Sequence, residues 1–404
     1  MGLKLACTLC STCLPYGSPA SRCPACGEPL ELRGYTGGIS CAAVWPARTL
    51  IERYAGLLPA EGYDSTLSLG EGFTPLVDAP ALAAELGVAR LLLKNETVNP
   101  TWSFKDRGTV VGLTEALRLG SRALGVVSTG NMAASVAAYG ARVGLPVLVL
   151  VSAETPTEKL AGIAVYGPSI IRVHGDYGEL YECSVRLSSR TLRFINSDAP
   201  ARVEGSKTIA YEICEQTDFE PSSCVIVPTS SGGNLRGMMK GFAEMREAGL
   251  ITKVPRPVCA QARGCAPICE AWERGADEIR PVARPDTVAH AIANPRPPSG
   301  NAALRQLRAA DGWCVAVDDA SMLQAQRRLA ATGVFGQPEA AVPLAAAASL
   351  AEKGWVGSRD TVLCVVTGSG LKYLPAIEVA TGAAMECRID ELDKRVAEWL
   401  DRMS

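Results

Sequence analysis

Apolar and polar positions along this chain fall into two periodicities. Short aliphatic runs predict strands at Leu91-Leu92-Leu93-Lys94, Ala123–Ser128, Val147–Val151, Ile170–Val173, Phe194–Asn196, Cys224–Thr229 and Val362–Val366. Stretches with helical spacing separate most of them. These run from Lys105 to Leu119, from Asn131 to Val143, from Thr157 onward and over 177–190. Further helices are predicted from the glycines after Ser231 through Glu247, over Met322–Ala331 and over the alanine-rich Ala340–Ala351. Strands alternating with helices predict an α/β fold with mostly parallel sheets covered on both faces. Residues 281–302, rich in Pro, Ala and Asn, predict loop and cleft lining. A charged helix from Ile389 to Met403 closes the chain, and no internal repeat is visible.

Ligands of such sheets bind outside the carboxyl ends of strands. The polar and glycine clusters fall there: Ser128-Thr129-Gly130-Asn131, Ser230-Ser231-Gly232-Gly233-Asn234 and Thr367-Gly368-Ser369-Gly370. The second cluster offers backbone N–H groups, two hydroxyls and a helix N-terminus, a combination that suits a phosphate; a flexible turn is the alternative. The stretch Asn99-Pro100-Thr101-Trp102-Ser103-Phe104-Lys105-Asp106-Arg107-Gly108 organises the rest. Its proline-bearing loop leads into Ser103, the expected N-cap, and sets Lys105 in the first helical turn. The positive end of a helix disfavours a cation, so this amine should shed its proton readily and become a nucleophile. An ordinary surface lysine is the plainer reading.

The chain has 404 residues, enough for two or three domains and a large core. Hydrophobic residues make up 48% and aromatics 5%, which excludes a disordered chain. A net charge of -2 leaves no footprint for nucleic acid or an acidic membrane. No apolar run reaches the length of a membrane span, and the quickly polar N-terminus predicts no signal peptide, so a cytoplasmic location is expected. In that compartment Cys224, Cys259 and Cys364, all in apolar stretches, read as reduced core residues.

Residues 1–45 differ from the rest. Cys7-x2-Cys10 and Cys23-x2-Cys26 have the spacing of a tetrahedral thiolate zinc site, which would stabilise a segment too small for its own core. Cys13 is a spare or a replacement ligand, and unliganded cysteines are the alternative. Four thiolates leave no open position, so the site would be structural. His174 and His290 are the only histidines, which argues against histidine-based acid–base chemistry and a His-ligated metal.

The order of these motifs resembles the threonine synthase family, within the fold type II (tryptophan synthase β-like) pyridoxal-phosphate enzymes. The likeness covers nearly the whole chain: the cysteine pairs, Gly70-Glu71-Gly72-Phe73-Thr74-Pro75-Leu76, the Asn99–Gly108 string, Ser128–Ala141, Asn196 to Thr208, the Ser/Gly loop and Thr367–Lys372. It implies two three-layer α/β/α domains with the cofactor cleft between them. Residues 46–110 and 200–385 would form the large cofactor-binding domain and 111–199 a smaller, mobile one. Residues 1–45 would be a zinc-ribbon-like segment and 386–404 a C-terminal helix. A homodimer acting on a small amino-acid substrate is also implied.

The resemblance further implies pyridoxal 5'-phosphate as cofactor, with Lys105 as Schiff-base lysine and proton-transfer base. Phe104 would line the ring and Asn131 would bond its 3-oxygen. Ser230, Ser231, Gly232, Gly233 and Asn234 would take its phosphate, and Thr367 would face its pyridine nitrogen. A hydroxyl cannot hold that nitrogen protonated as a carboxylate would, which suits elimination and replacement chemistry. Trp102, Ser103, Ser128, Thr129, Arg202 and Lys207 are the candidate substrate contacts. Among these, Arg202, Lys207, Ser128 and Thr129 are candidates for a substrate phosphate.

Several positions depart from the family pattern. Trp102 stands where the family has glycine, and Ser230-Ser231 replace a Gly-Asn pair. Ala199 replaces asparagine, Ser206 glutamine, Ser369 histidine and Tyr373 aspartate, while Gln337-Pro338-Glu339-Ala340 replaces Glu-Pro-Ala-Ser. Several of these lie near where the substrate's distal group would sit. Two activities are therefore expected to compete. One is threonine synthase, converting O-phospho-L-homoserine and water to L-threonine and phosphate. The other is β-elimination or β-replacement on O-phosphoserine, serine or threonine. A non-catalytic binding module is a third reading, opposed by Lys105.

Overall fold

The computed structural model describes residues 2–35, 48–175, 177–372 and 386–402. One compact unit ends at Lys372, and the remainder of the chain is a second.

The first unit carries three sheets. At its start, β1 (Lys4–Cys7), β2 (Cys13–Pro15) and β3 (Leu30–Arg33) pair antiparallel in the order β2-β1-β3. Beneath them lie Leu5, Cys7, Cys23, Leu30 and Leu32, a core too small to hold such a piece by burial alone.

Helix α1 (Leu50–Arg53) precedes β4 (Leu76–Asp78), α2 (Pro80–Leu86), β5 (Arg90–Asn95) and α3 (Lys105–Arg118). A four-stranded module follows: β6 (Ala123–Val127), α4 (Asn131–Arg142), β7 (Val147–Ser152), α5 (Thr157–Ala164), β8 (Ser169–Val173), α6 (Tyr177–Leu187) and β9 (Leu192–Phe194). Its order is β8-β7-β6-β9, with every pair parallel. The chain then returns through α7 (Pro200–Gln216), β10 (Cys224–Pro228), α8 (Gly233–Glu247), β11 (Arg256–Ala262), α9 (Pro267–Glu273), α10 (Gly300–Ala309), β12 (Trp313–Val317), α11 (Asp319–Ala330), α12 (Pro338–Glu352) and β13 (Thr361–Val366). These complete a six-stranded sheet ordered β12-β11-β10-β13-β5-β4, parallel except for β4. The α/β expectation holds. Strands β10 and β13 are buried almost throughout, which is why they read as unbroken apolar runs rather than alternating ones.

Helix α7 was not expected from periodicity, for a physical reason. It packs against α3 on one side and α8 on the other, and every residue from Pro200 to Cys214 is buried. A helix without a solvent face has no polar stripe to reveal it. The approach to α3 is so close that a Cβ on Gly205 would overlap the Arg107 carbonyl oxygen. In the surrounding core, each fully buried aliphatic side chain, such as Val110 or Ile209, contributes about 1.5–3 kcal/mol.

Cysteines also pack in this core. Cys259 and Cys314 sit side by side on β11 and β12, with Cys269 of α9 against them. All three belong to the apolar cluster, and burial pushes the Cys269 and Cys314 thiols well up. Burial likewise pushes Cys224 up to about 12 and Cys364 well up, while for Cys259 burial is outweighed by hydrogen bonds from Cys269, Cys314 and Thr229, which lower it. Cys224, Cys259 and Cys364 are all buried and free, as core residues.

In the second unit, a turn at Ile389–Glu391 leads into α13 (Leu392–Asp401). The expected helix end at Met403 and the family departure at Tyr373 lie outside the described residues.

Candidate active site

Lys105 is held by a loop stitched to the end of β13. The Phe104 N–H donates to the Thr367 carbonyl at 3.0 Å, and the Ser369 N–H to the Trp102 carbonyl at 3.0 Å. Ser103 and Gly368 pair between them. Helix α3 starts at Lys105 with Phe104 as its cap, so Ser103 is not the capping residue. The pairing with Gly368 withdraws Ser103 from the helix end, and its buried Oγ is left without a partner.

The Lys105 amine lies 4.4 Å from the Phe104 ring centroid. Burial and then the nearby Arg202 guanidinium lower its pKa to about 7. The lowered pKa expected from the sequence is present, but desolvation and a second cation cause it rather than the helix dipole.

The rest of the motif supports this lysine. Buried Asp106 accepts from the Thr101 N–H (2.7 Å), the Thr101 hydroxyl (2.6 Å) and the Ser135 hydroxyl (2.6 Å). Arg107 is fully buried and donates to Glu96 at 2.7 and 2.8 Å and to Glu212 at 2.6 and 2.7 Å. Lys94 joins Glu212 at 2.7 Å, and Asn99 bonds Glu96 at 2.8 Å. Two buried cations thus meet two buried carboxylates beneath the loop. The partners Glu96 and Glu212 escaped the sequence reading, because pairs this distant leave no local pattern.

Trp102 has a φ of +63°, in the left-handed region. That conformation costs a side-chain-bearing residue about 1–2 kcal/mol, which accounts for glycine as the family's residue here. The indole is half-exposed.

A second part of the site follows β10. Gly232 caps α8 with a φ of +87°, and its missing Cβ leaves room for the Ser299 backbone. A Cβ on Gly233 would come 2.6 Å from the Ser197 carbonyl oxygen. Asn234, in the first turn of α8, has both side-chain polar atoms buried without a partner. A helix N-terminus, the Ser230 and Ser231 hydroxyls and an unsatisfied amide thus come together in a glycine-opened cradle, a donor set that suits an anion.

The third part follows β6. Asn131 opens α4, and its amide donates to Gln337 at 2.7 Å. Gln337 caps α12, and its own N–H donates to the Gly368 carbonyl at 2.9 Å. Ser128 turns back to accept the Gly130 N–H at 3.2 Å, and Thr129 follows it, half-buried. Buried Thr367 ends β13 beside the Lys105 loop. The stretch from Asn196 to Arg202 joins all three parts. Asn196 accepts the Val127 N–H at 3.1 Å, Ser197 backs Gly233, and Arg202 donates to the Lys105 carbonyl at 3.2 Å.

Over residues 67–368 the chain matches the family of pyridoxal-phosphate dependent enzymes. It is 39% identical over 323 residues to threonine synthase of Methanocaldococcus jannaschii, covering 79% of this chain and 80% of that protein. Identity to threonine synthase of Synechocystis is 34% over 366 residues, covering 90% and 88%. The chain belongs to the threonine synthase family. Solved structures agree on the fold. Threonine deaminase isoform 2 from Solanum lycopersicum gives a TM-score of 0.62 at 21% identity, covering 80% of this chain and 81% of that one. Diaminopropionate ammonia lyase from Escherichia coli gives 0.65 at 18%, covering 78% and 89%.

The residues present fit the cofactor of the threonine synthase family. A neutralisable amine stands beside an aromatic face, a glycine-opened cradle begins α8, and Ser103 and Asn234 have unspent buried polar atoms. The structure separates the two basic substrate candidates. Arg202 is buried in α7, not on a solvated loop, and bonds the Thr109 hydroxyl at 2.7 Å beside Lys105. Among the described residues no carboxylate pairs with it, and burial lowers its pKa to about 10. Lys207 faces α8 instead, where Glu204 and Glu244 hold its ammonium under the Tyr35 ring. Five residues along a helix carry a side chain to another face, so the two cannot share a task.

The four ribbon cysteines converge. Their sulfurs lie within 4.8 Å of one another, with Cys7 and Cys26 3.4 Å apart and Cys10 3.6 Å from both Cys23 and Cys26. The Leu9 and Cys10 N–H groups donate to the Cys7 sulfur at 3.3 and 3.4 Å. Cys13 is exposed on β2, outside this group.

Proposed function

We propose that this chain converts O-phospho-L-homoserine and water to L-threonine and phosphate. The observation that carries the reading is Lys105, an amine held near neutrality at the junction of three strand-end clusters. Phe104, Lys105, Asn131, Ser230 to Asn234 and Thr367 would hold pyridoxal phosphate, which supplies the electron sink for removing protons next to the amino-bearing carbon. Lys105 would then move protons at the substrate's Cα and Cβ, since a base with a pKa near the working pH is efficient in both directions. Arg202, Ser128 and Thr129 would receive the substrate phosphate. A buried guanidinium without a carboxylate partner has most to gain from a dianion. Trp102 and Ser103 would border the substrate, and Thr367 would leave the ring nitrogen unprotonated.

Purified protein supplied with pyridoxal phosphate should release phosphate and threonine from O-phospho-L-homoserine. If it releases none while O-phosphoserine, serine or threonine turns over, the competing β-elimination reading replaces this one. Arg202→Met should raise KM for the phosphorylated substrate roughly 10–100-fold, the worth of one or two charge-assisted bonds.

The four-stranded module, β6 to β9, is read as the smaller, moving domain that closes over substrate, and the protein as a cytoplasmic homodimer. Cys7, Cys10, Cys23 and Cys26 are read as a structural zinc site. Tetrahedral Zn–S bonds set sulfurs about 3.8 Å apart, close to the separations here. Elemental analysis should find about one zinc per chain. Cys23→Ser should lower that content, and equal content in both proteins rules the site out.

A further inference from the structure

The zinc-ribbon-like segment touches both α/β modules, and its contacts converge on the phosphate cradle. On the side of the four-stranded module, Arg22, next to Cys23, pairs with buried Asp198 at 2.9 Å. It also donates twice to the Tyr181 hydroxyl of α6 at 3.1 Å, and that hydroxyl donates to Asp198 at 2.6 Å. Asp198 directly follows Ser197, the residue whose carbonyl backs Gly233 of the cradle.

On the side of the six-stranded module, Glu31 of β3 pairs with Arg236 at 3.5 Å. Arg236 is buried in the first turn of α8, two residues past Asn234. Its guanidinium also donates to the Ser299 hydroxyl at 3.1 Å. The Ser299 N–H in turn donates to the Ser231 carbonyl at 2.9 Å, and its backbone packs against Gly232. The first contact thus ends one residue from the Ser197 wall of the cradle, and the second ends on an arginine that bonds the Ser299 wall itself.

We infer that Arg22 and Arg236 are positioning residues for the cofactor phosphate: Arg22–Asp198 and Glu31–Arg236 fix the Ser197 and Ser299 backbones that shape the cradle, so the ribbon sets cofactor affinity without touching the cofactor. The physical warrant is geometric. A cradle of backbone N–H groups loses strength steeply when a wall moves by a fraction of an ångström, because hydrogen bonds are short-ranged and directional. Each tie is a buried charge held by two or more partners, so it has one well-defined arrangement. The inference rests on the assignment of Ser230 to Asn234 to the cofactor phosphate.

The test is a pyridoxal-phosphate titration of the apoprotein, followed by visible absorbance, for the wild type, Arg22→Met, Arg236→Met and Arg305→Met. Arg305 ties the ribbon to α10 through Glu28 without bonding Ser197 or Ser299, and serves as the comparison. Arg22→Met and Arg236→Met are expected to raise the cofactor Kd about tenfold. The phosphorus resonance of the bound cofactor should shift, while kcat at saturating cofactor stays within about twofold. Arg305→Met should leave Kd and resonance unchanged. Wild-type Kd in both test variants overturns the inference, and so does an equal rise in all three, which would mark general loosening. If either methionine variant is insoluble, Arg22→Lys or Arg236→Lys decides in its place. A lysine keeps the charge but cannot span two partners, so an unchanged Kd again overturns it. A wild-type protein that binds the cofactor with no phosphorus signal of a held phosphate sinks the cradle assignment instead.

Discussion

Lys105→Ala should lose turnover by at least roughly 10²–10⁴-fold, the share carried by proton transfer alone. It should also lose the visible absorbance of the covalently held cofactor. A variant with normal turnover removes Lys105 from the chemistry. The same lysine should leave a pH signature in the apoprotein. Its folded pKa, about 7, lies below the ordinary lysine value, so the unfolded chain binds more protons between about pH 7 and 10. Stability from this group therefore rises with pH across that window, by up to about 1.4 kcal/mol per unit. Below it, the cost of charging a desolvated amine is present in full. Lys105→Met should accordingly be more stable than the wild type at pH 7, and the gap should close towards pH 10. Denaturant unfolding at the two pH values measures it, and a constant gap contradicts the assigned shift.

Arg107→Met should destabilise the fold by about 3–5 kcal/mol, because it leaves Lys94 alone to balance the two buried carboxylates, Glu96 and Glu212. Chemical denaturation at pH 7 reads this directly, and a loss below about 1 kcal/mol would place the group in water instead. The acid dependence should change as well. Burial pushes the Glu212 carboxyl up, but Arg107 and then Lys94 outweigh it and hold the group down to about 2. A carboxylate held low stabilises the fold above its unfolded pKa, and that stability drains as pH falls from about 4 towards 2. The variant should lose less between pH 5 and pH 3 than the wild type does.

Local chemistry was legible in the sequence and distant pairing was not. Lys105, the Ser230–Asn234 turn and the Asn131 helix start each announce themselves within ten residues, because a strand, a turn and a helix start leave adjacent marks. The four convergent cysteines were equally local, and the ambiguous Cys13 is resolved only by β2 carrying it outward. Arg202 was read as a candidate phosphate contact, but its burial was not legible because α7 has no polar stripe. Lys207 was grouped with Arg202 by sequence proximity, which a helix converts into opposite directions. Gln337, the partner of Asn131, lies 206 positions away. Pairing over that distance is a property of the folded sheet order and has no local signature.

The glycine contacts between α3, α7 and α8 bear on length discrimination. In this stack α3 begins with Lys105 and α8 with the Gly232–Asn234 turn, the two groups proposed to hold the cofactor's aldehyde and phosphate ends. Helices separated by backbone contact, as at Gly205 and Arg107, have no compressible side chains between them. The stack therefore behaves as a caliper with a locked screw. On the proposed assignment, an aldehyde whose phosphate arm is one carbon longer or shorter would meet one jaw or the other, but not both.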